Sequence, residues 1–203
     1  MVKYNYIIEG SKQMTTANKL TLLRVVMIPI MIVFIYMKSM ESPLGFFNDI
    51  LLNQLIFAIL FVLASFTDLL DGYVARKYNQ ITTFGKFLDP IADKVLVMVA
   101  FLFLMVVTPD RVPLWAVMIV IVREFAVTGV RLLAVEKGKV IAASPYGKIK
   151  TASTMVALII MLFNDFGLPA LIGDIIFWIA ILFTLISGFD YLIKNKEVIL
   201  ESI

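Results

Sequence analysis

Residues 65–94 read SFTDLLDGYVARKYNQITTFGKFLDPIADK. Four aspartates stand in this stretch as two pairs, Asp68 with Asp71 and Asp89 with Asp93, and long apolar runs flank it on both sides. A carboxylate inside a membrane span is costly and marks a functional site by default. If residues 51–77 form one helix, Asp68, Asp71 and Ala75 fall on one face, with Gly72 at its border. If the next helix takes in 85–94, Gly85, Asp89 and Asp93 share a face at four-residue steps. Two such helices aim four carboxylates at one small volume. Carboxylates that close cannot all stay ionised without cations. Oxygen-only ligands suit a hard divalent ion, Mg²⁺ or Mn²⁺, better than zinc or copper. The plainer reading is of solvated helix ends with ordinary salt bridges. It leaves four acids between apolar spans without a cheap structural role.

Composition points the same way. The chain has 203 residues, of which 61% are hydrophobic and only 16% charged, and its mean hydropathy is +0.96. That describes a polytopic membrane protein. There is no cysteine, which excludes disulfides and thiol nucleophiles. There is no histidine, which excludes imidazole metal ligands, Ser-His triads and a histidine base. Acid–base chemistry therefore falls to carboxylates, Lys, Tyr or water. The net charge of +3 is small. Its Lys and Arg lie largely beside apolar runs, which fits topology and anionic-lipid contact, with no nucleic-acid partner.

The expected fold is all-α, with six transmembrane helices in one membrane domain over 1–203. Residues 1–19 lack the small-residue cleavage site of a signal peptide. They form an interfacial helix or a disordered tail, with Met14 an alternative start. The expected spans are 20–37, 51–66 continuing through Arg76, 84–107, 113–135, 148–163 and 174–192, with the membrane domain ending near 193 and a tail over 194–203. Residues 38–49, 78–83, 108–112, 136–150 and 164–173 connect them. Pro90 lies early in the third span, where a missing N–H is best tolerated. Asn18 and Thr21 open the first span, with Arg24 following; Asn18 is either an N-cap or a group that reaches a ligand. Lys3, Lys12, Lys19, Arg76, Lys77, Lys137, Lys139, Lys194 and Lys196 fall on one side of the membrane, and Lys38 and Arg111 on the other. The positive-inside rule then puts both termini and the aspartates in the cytoplasm.

A second polar group accompanies the first. Arg123, Arg131 and Lys148 lie on or near the cytoplasmic halves of the fourth and fifth spans. A guanidinium fork suits phosphate oxygens. Lys137, Lys139 and Lys150 read as ordinary juxtamembrane cations. Arg123 sits deep in an apolar span, so it is either a phosphate contact or an ion-pair partner of Glu124 or of an aspartate.

The pattern Asp68-x2-Asp71-Gly72-x2-Ala75-Arg76-x8-Gly85-x3-Asp89-x3-Asp93 resembles the signature of the CDP-alcohol phosphotransferase family at all eight fixed positions. The segment 18–24, Asn-x-x-Thr-x-x-Arg, resembles the family's opening. The run 123–133 (REFAVTGVRLL), with Gly147-Lys148-Ile149-Lys150-Thr151, resembles the branch whose acceptor is glycerol 3-phosphate. The likeness covers about 18–191.

The resemblance implies CDP-diacylglycerol as donor and a homodimer among membrane lipids; a bacterial inner membrane is the expected setting. It implies one or two divalent ions held by Asp68, Asp71, Asp89 and Asp93, with Asp93 as candidate general base. Asn18, Thr21, Asp68, Gly72, Ala75, Arg76 and Gly85 would bind the donor nucleotide, and Arg123, Arg131 and Lys148 the acceptor phosphate. The small residues have an alternative use in helix packing. Rival readings are the same chemistry on serine, an inositol phosphate or phosphatidylglycerol, a membrane prenyltransferase, and a divalent-cation transporter.

Overall fold

The computed structural model describes residues 15–37, 40, 42–77, 82–139, 141–142 and 144–200, without the side chains of 16–17, 74–76, 83–84 and 86. The expected interfacial helix or tail over 1–14, with Lys3 and Lys12, lies outside the described residues. So do Lys38 and most of the expected polar turn, 78–81. The described residues include seven α-helices and a 3₁₀ turn at Asn164–Gly167. The only β-type pairing among them is a single bridge between Pro43 and Leu51. The fold is all-α.

Helix α1 runs Thr16–Tyr36, and its N-cap is Thr15, whose hydroxyl accepts from the Asn18 N–H at 3.2 Å. The cap is therefore not Asn18. Helix α2, Leu52–Lys77, continues unbroken through both of its aspartates. Its 26 residues extend about 39 Å, enough to cross a ~30 Å hydrocarbon core and project beyond it. Helix α3, Thr83–Val107, is capped by Thr82 and carries Pro90 inside. Helix α4 is Leu114–Glu136 and α6 is Leu171–Lys194. A short α7, Lys196–Leu200, forms where a charged tail was expected.

Helix α5, Pro145–Leu162, starts earlier than the expected 148. Ser144 caps it and Pro145 occupies its first position, a pairing suited to a helix start. Residues 144–147, expected as loop, are cap and first turn. Four helices, α1, α2, α3 and α6, are long and apolar enough to cross a membrane. Helices α4 and α5 carry the charged residues of the second polar group within their length.

Helix α1 packs on α2 and α3, and α6 on α5 and α4. One core joins all six long helices through Met31, Phe57, Phe103, Ala116, Leu158 and Phe177. Phe57 and Phe103 stack with centroids 4.0 Å apart. Buried small residues, among them Ala58, Ala64, Ala100, Ala157 and Ala180, let the helix axes approach closely. Large apolar side chains such as Leu63, Phe66, Val106 and Phe189 face outward. That is the surface a lipid solvent selects.

The end of the bundle away from the aspartates is held by an ionic clasp. Arg111 donates to Asp165 at 2.6 and 3.1 Å, to Asp174 at 2.7 Å and to the Ala170 carbonyl at 2.9 Å. Burial would lower the Arg111 pKa, but the bonds and charges of Asp165 and Asp174 outweigh it and hold it above its usual value. Asn164 donates to the carbonyls of Phe47 and Asn48, and Asn48 to that of Leu168, tying the α1–α2 connection to the α5–α6 turn. Residues 47–49 and 164–166 all have positive φ. These side-chain bonds offset the cost of that conformation in non-glycine residues.

Candidate active site

Helix α2 brings Asp68 and Asp71, and α3 brings Asp89 and Asp93, to one place beside α1. The residue at their centre is Arg24. Its Nη2 lies 2.6 Å from Asp71 Oδ2 and 3.2 Å from Asp68 Oδ1, and its Nη1 lies 2.7 Å from Asp93 Oδ1. The Thr21 hydroxyl donates to Asp89 Oδ1 at 2.7 Å. Arg24 and Asp71 are buried, whereas the side chains of Asp68 and Asp93 are 40% and 43% exposed. Those two open on a cleft of about 490 Å³ between α2, α3 and α5, walled by Phe66, Leu96, Met155 and Ile159. A polar head against the carboxylates and apolar chains along the walls is the kind of molecule this shape admits.

A second pocket of about 520 Å³ adjoins this cleft, and the two share Thr151 and Met155 of α5. Arg123, Arg131 and Lys148 line it, as the sequence predicts, and so do Lys94, Lys150 and Glu124. Glu124 Oε1 receives Lys150 at 2.5 Å and Arg123 at 2.9 Å. Arg123 also donates to Ser187 at 3.0 Å, and Arg131 to the Tyr191 hydroxyl at 3.3 Å. Lys94 donates to the Thr128 hydroxyl. Lys150 is thus no juxtamembrane cation: it is 6% exposed and ion-paired within the pocket. Five cations against one carboxylate make the pocket strongly electropositive. A phosphomonoester dianion is the small ligand that such a site favours.

A model of the CDP-alcohol phosphatidyltransferase family matches residues 14–186. The chain belongs to this family. A protein of Bacillus subtilis (strain 168) is 42% identical over 189 residues, covering 91% of this chain and 97% of its own. One of Rickettsia felis is 39% identical over 186 residues, with 89% and 94% covered. One of Salmonella choleraesuis is 36% identical over 195 residues, with 93% and 99% covered. All three are named CDP-diacylglycerol–glycerol-3-phosphate 3-phosphatidyltransferase.

The motif positions of this CDP-alcohol phosphatidyltransferase are not all alike in place. The four aspartates meet. Gly72 is half-buried on α2. Ala75 and Arg76 lie in the last turns of α2, their side chains outside the described residues. A Cβ on Gly85 would come within 3.1 Å of Asn18 Oδ1, so this glycine lets α3 approach α1. Asn18 Oδ1 in turn accepts from the Thr82 hydroxyl at 2.7 Å. Thr21 is buried against the aspartates.

Among the described residues, no three acidic groups stand in the geometry of a metal site. The carboxylates gather instead on the Arg24 guanidinium. The donor set still fits a hard divalent ion in kind: all ligands are carboxylate oxygens, three of the acids share a single guanidinium, and the fourth, Asp89, takes the Thr21 hydroxyl.

Proposed function

We propose that this protein transfers the phosphatidyl group of CDP-diacylglycerol to glycerol 3-phosphate, giving phosphatidylglycerophosphate and CMP in phospholipid synthesis. One observation carries the reading: the aspartate-lined cleft and the electropositive pocket adjoin, sharing Thr151 and Met155, with Asp93 lining the first and its neighbour Lys94 the second. The printed names of the relatives support it.

In this reading the diacylglycerol chains lie along the cleft between α2, α3 and α5, and the diphosphate meets the aspartates. Asn18, Thr21, Gly72, Ala75, Arg76 and Gly85 belong to the nucleotide side. Asp68, Asp71, Asp89 and Asp93 would hold one or two Mg²⁺ or Mn²⁺ ions, whose charge would offset that of the diphosphate and the departing CMP. Arg123, Arg131, Lys148, Lys94 and Lys150 bind the acceptor phosphate. Asp93 accepts the proton of the acceptor's primary hydroxyl. That oxygen then bonds to the β-phosphorus as the bond from this phosphorus to the CMP oxygen breaks.

The same proposal has six helices, α1 to α6, crossing a bacterial inner membrane as one domain and as a homodimer. Lys19, Lys77, Lys137, Lys139, Lys194 and Lys196 stand at the aspartate end, which supports a cytoplasmic site and cytoplasmic termini. Incorporation of labelled glycerol 3-phosphate into organic-extractable lipid tests the function. It should require CDP-diacylglycerol and the purified protein; lipid labelled without the donor would contradict the reading.

A further inference from the structure

We infer that Arg24, assisted by Thr21 one turn before it, is the positioning residue of the acidic site. From α1 it fixes one oxygen each of Asp68, Asp71 and Asp93, with Thr21 holding Asp89, and so sets how the site meets a divalent ion. The inference rests on the metal-dependent transfer proposed above and adds a role for a residue that proposal does not use.

Arg24 and Thr21 meet each aspartate through one carboxylate oxygen. Arg24 takes Asp68 Oδ1, Asp71 Oδ2 and Asp93 Oδ1, while Thr21 takes Asp89 Oδ1 at 2.7 Å and approaches Asp71 Oδ2 at 3.5 Å. Arg24 is 0% exposed, and its Nε reaches the Ala64 carbonyl on α2 at 3.4 Å. Arg24 therefore touches both acidic helices at once. Only a planar fork spans three carboxylates in this way; a lysine offers one compact charge on a flexible stem. Two of the three ion pairs end on Asp68 and Asp93, which open on the cleft, so Arg24 acts on groups at the reacting surface and not only on a buried pair. Partners that orient metal ligands from behind typically change metal affinity 10–100-fold when removed.

The test is Mn²⁺ binding to the purified protein in detergent, followed by electron paramagnetic resonance without lipid substrate. Arg24→Lys keeps the charge and loses the fork. Its Mn²⁺ Kd should rise about tenfold or more. The Mn²⁺ concentration for half-maximal CMP release should shift by the same factor, with the donor KM at saturating Mn²⁺ unchanged. Thr21→Val removes one hydroxyl at nearly constant volume and should weaken Mn²⁺ binding in the same direction. It carries the test alone if the lysine variant does not fold. A purely structural Arg24 would lower the Tm and leave the Mn²⁺ Kd of the folded variants at the wild-type value, and that result would overturn the inference. Wild-type protein that binds no Mn²⁺ would instead contradict the metal-dependent reading beneath it.

Discussion

Asp93 and Lys94, adjacent on α3, line different cavities: Asp93 opens on the apolar cleft with Asp68, and Lys94 projects into the electropositive pocket with Arg123 and Arg131. The two cavities therefore meet at neighbouring positions of one helix, about 100° apart around its axis. Replacing the two residues should separate the two functions. Asp93→Asn should lower kcat by roughly 10²–10⁴-fold, the usual contribution of a positioned base, while donor binding persists. Near-normal turnover in that variant would remove Asp93 from the role.

Lys94→Met and Arg131→Ala should raise the KM for glycerol 3-phosphate by about tenfold or more, the worth of a charge-assisted hydrogen bond, with a smaller change in the donor KM. Steady-state kinetics with each substrate varied in turn checks this. Equal effects on both constants would count against an acceptor role.

Glu124 holds Lys150 and Arg123 from one oxygen in a largely buried site. Glu124→Leu strands the Lys150 cation and should cost about 3–5 kcal/mol of stability. The double variant Glu124→Leu, Lys150→Met should recover much of that loss without recovering acceptor affinity. Thermal unfolding in detergent beside acceptor KM separates the two effects.

The Arg111 clasp lies about 20 Å along the α3 axis from Asp93, at 1.5 Å per residue. A Cβ on Gly173 would collide with the Asp165 carboxylate and the Arg111 guanidinium. Gly173→Ala should lower stability by about 1–3 kcal/mol and leave both KM values of the folded enzyme unchanged. A changed acceptor KM with an unchanged Tm would contradict this division of labour.

Chelation should stop CMP release, and added Mg²⁺ or Mn²⁺ should restore it. Bound metal should also raise the Tm, since a ligand at 100 times its Kd stabilises by about 2.7 kcal/mol. Full activity in excess EDTA would contradict a metal-dependent transfer.

The aspartate face was legible because Asp68 to Asp71 and Asp89 to Asp93 are local spacings, and each pair lies within one helix. The contacts of Arg24 were not. An arginine in the early turns of an apolar span looks like an interfacial anchor, and its partners lie 47 and 69 residues away along the chain. Lys150 was misread for a local reason. With α5 begun at 148 it looks like a loop cation. With the Ser144–Pro145 start, Lys150 joins the inward face that continues through Thr154, Ala157, Leu158 and Met161. The clasp had no local signal, because non-glycine residues at positive φ are selected by the tertiary bonds of Asn48, Asn164 and Arg111.

The most direct test is CMP release by the purified protein with CDP-diacylglycerol, Mg²⁺ or Mn²⁺, and one acceptor at a time. Release that requires both the metal and glycerol 3-phosphate is the expected result. Release with serine, an inositol phosphate or phosphatidylglycerol instead would contradict the assignment of the electropositive pocket. Folded protein that releases no CMP with any acceptor would contradict the transferase reading itself.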